Sequence, residues 1–114
     1  MTYVSVRGGY ERGDIAVKEA AWCVEHFDIE PKRVDIQVNH AYKDCWGACD
    51  EVSRGEYSIT VVARQSLRDF IATVAHEMVH VKQWETGRWS GDGEKEAERL
   101  QYKLADKIWK EDVI

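Results

Sequence analysis

The segment "SLRDFIATVAHEMVHVKQWETG", residues 66–87, constrains this chain more than any other. Phe70, Ile71, Val74, Ala75, Met78, Val79 and Val81 recur at a spacing that fits a helix buried on more than one side. Ser66 stands at a good N-cap position with Asp69 three residues on, and Gly87 is placed to stop the helix. A helix from about Leu67 to Thr86 follows.

Three ionisable residues interrupt this apolar helix. Residues four apart lie one turn above each other, so His76 and His80 project from one face and can bind a single ion. Burying such groups costs several kcal/mol unless they are paired or coordinate a metal. A zinc ion removes that cost, and Glu77, directly after His76, is placed to hold a water beside it. The bland alternative is a chance H-E-x-x-H on a surface helix with its charges solvated. The capped, apolar context favours the metal.

The remainder of the chain reads as a small α+β domain spanning residues 1–114. Alternation in "TYVSVRG", "RVDIQVNH" and "EYSITVVAR" predicts three strands in a mostly antiparallel sheet packed against three helices. The first helix is capped by Asp14 and buries Ala16, Ala20, Cys23, Val24 and Phe27, with His26 beside that stripe. "AYKDCWGACDEVSRG" reads as an irregular loop. Asp92 caps a last helix whose Ala97, Leu100, Leu104 and Ile108 face the core.

Composition excludes several functions. With 44% hydrophobic and 32% charged residues the chain is an ordinary globular one, and its formal charge of -5 argues against a nucleic-acid or anionic-membrane partner. There is no bilayer-spanning run and no signal-peptide pattern at the start, so a cytoplasmic location is expected. Cys23, Cys45 and Cys49 are too few for a disulfide framework, which suits a reducing compartment. A local Cys45–Cys49 disulfide is the alternative for an exported protein.

The motif "HEMVH" resembles the active-site helix of the zincin metallopeptidases. The metzincin continuation is absent, with Gln83 and Thr86 in the places of its glycine and last histidine, and no histidine follows His80. A carboxylate is therefore expected as third ligand. "EKEAERL" looks like the E-x-x-A-[DE] pattern of gluzincins, and the chain's size is similar to that of the minigluzincins. "AHEMVHVKQ" also looks like runs in small SprT-like proteins. The gluzincin resemblance implies Glu94 as third zinc ligand and Glu98 as the carboxylate supporting the ring N–H of His76, with Glu96 or Glu98 as the alternative ligand. It also implies that the strand "EYSITVVAR" borders the cleft and pairs with an extended substrate.

The function that follows is zinc-dependent hydrolysis of peptide bonds in a peptide or protein substrate, with Glu77 as general base. Tyr102, Tyr42 and His40 have suitable chemistry to stabilise an oxyanion. Trp46, Trp84 and Trp89 either line a cleft or pack in the core. The competing class is a non-catalytic module whose zinc is closed by a further ligand, for instance a cysteine of "DCWGACD". Glu77 separates the two readings, because a structural site has no need of it.

Overall fold

The alternating segments are strands, and a fourth strand joins them. In the computed structural model, which describes residues 1–114, the order is β1 (Tyr3–Arg7), α1 (Glu11–His26), β2 (Arg33–Asn39), β3 (Gly47–Ser53), β4 (Glu56–Val62), α2 (Leu67–Thr86) and α3 (Glu94–Lys110). The fold is α+β, but the three-stranded, mostly antiparallel sheet is replaced by a mixed four-stranded one of order β1-β2-β4-β3. β1 pairs with β2 and β2 with β4 in parallel, and only β3 with β4 is antiparallel. The reason is the crossover through α1, which returns the chain so that β2 starts at the same end as β1. β4 then inserts between β2 and β3.

β3 lies inside the segment that reads as a loop. Its first residues, Gly47, Ala48 and Cys49, are small, and Asp50, Glu51 and Val52 are exposed, so no apolar alternation announces it. Pairing with β4 makes it a strand, and its place in the order makes it an edge.

Register aligns the apolar faces. Val4, Val34 and Tyr57 form one row across the sheet and Val6, Ile36 and Ile59 the next, packed with Ala16, Ala20, Phe70 and Met78 from the helices. The opposite face carries the row Ser5, Asp35, Ser58 and Asp50, with Ser5 Oγ donating to Asp35 at 2.5 Å. Parallel sheets are usually covered on both faces. Polar residues at alternate positions let this one face water on one side.

Local signals set the helix ends. Ser66 Oγ accepts the Asp69 backbone N–H at 3.1 Å, a cap worth about 1 kcal/mol, and Gly87 closes α2 at φ 68° with its N–H on Gln83 O. α1 starts at Glu11, earlier than a cap at Asp14 requires. Tyr10 holds the N-cap place at φ 44° without a side-chain cap, and Asp14 instead sits in the first turn, where the helix dipole favours it. At α3 the N-cap place falls to Gly93 rather than Asp92, which lies one residue before it and accepts the Glu94 N–H at 3.0 Å. Ala97 and Leu104 of α3 pack on Ala75 and Val79 of α2. No helix is long and apolar enough to cross a membrane.

Candidate metal centre

α2 presents two imidazoles and the first turn of α3 presents a carboxylate to them. The rings of His76 and His80 have centroids 5.2 Å apart, as the one-turn spacing requires. Glu94 bridges them: Oε2 lies 2.9 Å from His76 Nε2 and Oε1 2.8 Å from His80 Nε2. One ligand atom from each of the three lies within 4.8 Å of the others, so the group can hold a metal ion. Glu94, rather than Glu96 or Glu98, faces the histidines.

The second nitrogen of each ring meets a glutamine. His76 Nδ1 is 2.6 Å from Gln101 Oε1, and His80 Nδ1 is 2.8 Å from Gln83 Oε1. The support expected from Glu98 therefore comes from Gln101, and Glu98 is exposed. At about 100° per residue, Gln101 lies about 20° from Glu94 on the side of Ala97 and Ile108, whereas Glu98 lies about 40° to the other side, toward the cleft rim rather than the His76 ring. Glu96 is engaged elsewhere. The Gln83 amide and then Lys82 hold its carboxyl below the usual carboxylate range.

The orientation of Gln83 fixes the chemistry of His80. Buried at 4% exposure, its amide nitrogen donates to Gly93 O and to Glu96 Oε1, both at 2.9 Å, which turns its oxygen toward His80. Nδ1 of His80 must then be the donor. A neutral imidazole so held keeps its lone pair on Nε2, aimed at the carboxylate oxygen of Glu94. Two lone pairs do not face each other at 2.8 Å without a proton or a cation between them. Two imidazole nitrogens and a carboxylate oxygen are also a donor set suited to zinc. A side chain at Gly93 would collide with the Gln83 amide, so glycine is required at this turn, where φ is 79°.

Glu77 stands outside this group of three but against it. It is 5% exposed, and burial pushes its carboxyl up to about 7, against the pull of His76 and His80 and with a further push from Glu94 and Asp50. Gly47 of β3 covers it: a Cβ there would lie 2.6 Å from Thr73 Cγ2 and 3.0 Å from Glu77 Oε2. This close approach of edge strand to helix was not legible in the sequence. Gln83 and Gln101 could have been found from helical spacing, since one lies a turn beyond His80 and the other two turns beyond Glu94.

Two contiguous cavities of about 470 and 710 Å³ meet at Gly47, His76 and Glu77 and form one cleft. Trp84 and Trp89 line the first and Trp46 and Tyr102 the second. Tyr102 donates to Asp69 at 2.6 Å. His40 and Tyr42 line a separate hollow with Arg64, away from the histidine pair. Cys45 and Cys49 border the cleft but are not part of the ligand group, and burial pushes the Cys49 thiol well up. β4 lies between β2 and β3, so β3 takes the cleft-bordering place expected of it.

No protein-family model, no curated protein and no solved structure matches this chain.

Proposed function

We propose that the protein is a gluzincin-like zinc metallopeptidase. His76, His80 and Glu94 would hold the ion, Gln101 and Gln83 would orient the two rings, and Glu77 would act as general base. The observation that carries this reading is the confrontation of His80 Nε2 with Glu94 Oε1, in a site whose tautomer is fixed from behind by Gln83. Bound zinc supplies Lewis acidity that brings a water's pKa to about 7 and polarises a carbonyl. Glu77 takes the proton of the attacking water on a carboxylate oxygen and delivers it to the departing amine nitrogen. Its place beside Gly47, 5% exposed, raises the proton affinity of the carboxyl for that step.

The substrate is a peptide in extended form. β3 is a sheet edge directly over Glu77, and an added strand can pair with its free main-chain groups. The three free thiols suit a reducing compartment such as the cytoplasm.

Zinc content and cleavage of unfolded casein, measured on the parent and on Glu77→Gln, test the proposal. One zinc in each with cleavage by the parent alone upholds it. Zinc in both with cleavage by neither assigns the ion to a non-catalytic, zinc-stabilised module. A protein that takes up no zinc ends the metal reading.

A further inference from the structure

The two halves of the cleft differ in chemistry. The axis of α2 orders them: Asp69 and Thr73, nearer its start, line one half, and His80 and Trp84, nearer its end, line the other. Toward the start the lining is mostly polar, with Gln65, Glu98 and Gln101 beside the exposed Trp46 and beside Tyr102, whose hydroxyl donates to Asp69. Toward the end it is aromatic and small, with Trp84, Trp89, Ala48 and Cys49 around His80. Trp84 is held in place from behind. Its ring stacks on Tyr57 at 5.8 Å and 25°, Tyr57 is buried, and the Tyr57 hydroxyl donates to Glu85 at 2.6 Å. Trp89 sits on the turn before α3 with 46% of its surface exposed.

We propose, on the peptidase reading above, that the half beside His80 is a subsite for an apolar, preferably aromatic, side chain on the acyl side of the scissile bond. A fixed indole wall next to a reaction centre gains from covering an apolar side chain and gains nothing from a carboxylate. The second tryptophan is exposed where a substrate side chain would cover it. The other half also holds two aromatic residues, but Trp46 stacks on no other ring and the Tyr102 face is taken by the Arg68 guanidinium at 4.5 Å, so neither makes a comparable wall.

Strand polarity assigns the side. β3 runs from Gly47, at the meeting point of the halves, through Ala48 and Cys49 into the aromatic half. Antiparallel pairing is the more stable arrangement per residue, and a peptide paired so on β3 lays its N-terminal portion in that half. The residue contributing the scissile carbonyl therefore meets Trp84 and Trp89.

The test is to map cleavage sites in a mixed peptide library by mass spectrometry, using the zinc-loaded parent, Trp89→Ala and Trp84→Leu. Phe, Trp or Leu should be enriched over Ala and Asp on the acyl side by on the order of tenfold. The amine side should show no such enrichment, and the ratio should fall toward one in Trp89→Ala. Trp84→Leu keeps apolar bulk against Tyr57 and should retain part of it. Cleavage without apolar selection on the acyl side, or selection unchanged in both variants, overturns the subsite and leaves the peptidase reading standing. Zinc-loaded parent that cleaves no peptide overturns that reading and the subsite with it.

Discussion

Glu19 and Glu77 are both glutamates inside the protein, and burial pushes both carboxyls upward. Their surroundings differ. Glu77 opens on a cleft and faces two imidazoles that pull its pKa back to about 7. Glu19, on α1 beside Cys23 and the Ala75 backbone, is fully buried and neither oxygen makes a well-formed hydrogen bond. Desolvation by burial outweighs the lowering effect of the nearby Ala75 backbone, and the carboxyl stays well above its ordinary range. A buried carboxyl is thus no sign of function by itself. Access to a cleft and a partner that stabilises the ionised form make the difference.

Replacing each glutamate should separate the two roles. Glu77→Gln is expected to lower kcat about 10²–10⁴-fold while zinc content stays, the range for a lost general base. The checks are steady-state hydrolysis and metal analysis; unaltered turnover would remove Glu77 from the chemistry. A smaller effect is expected behind the proposed ligands. Gln83→Leu and Gln101→Leu should each weaken zinc about 10–100-fold in chelator competition, whereas Glu98→Gln should leave affinity near the parent's. Equal losses for Gln101 and Glu98 would return the supporting role to the carboxylate.

Glu19→Met should stabilise the fold by about 1–3 kcal/mol in urea unfolding at neutral pH, because it removes a buried group without partners. The pH dependence has a definite sign. The folded-state pKa of Glu19 is raised, so as pH climbs the unfolded chain releases this proton first and the folded state holds more protons. Its contribution is therefore most favourable below the ordinary carboxylate range and declines as pH rises toward the folded value. The stability gap between parent and Glu19→Met should widen from pH 4 to pH 8, and a constant gap would show that Glu19 keeps its ordinary pKa. The smallest effect is local: Ser66→Ala, which removes the α2 cap, should cost about 1 kcal/mol in the same unfolding measurement and leave zinc content intact.

The residues of the candidate metal site were legible to different depths. His76, Glu77 and His80 stand out because their relation is one turn of a single helix. Glu94 was reachable only through a pattern resemblance, because it lies on another helix and its role depends on how α3 meets α2. The same dependence misled the reading of Glu98. A few tens of degrees in the phase of α3 decide which side chain meets His76, and the stripe of Ala97, Leu104 and Ile108 sets that phase by packing.

Sequence alone determined the long helix α2 with its caps and paired histidines, the apolar face of three strands and the polarity of the other. These follow from periodicity and side-chain chemistry within a few residues. Tertiary structure decided the strand order, the edge position of β3 over Glu77, and the choice of Gln101 and Gln83 as partners of the rings. Each is a contact between segments far apart in the chain, selected by which faces bury together, and no local period records that choice.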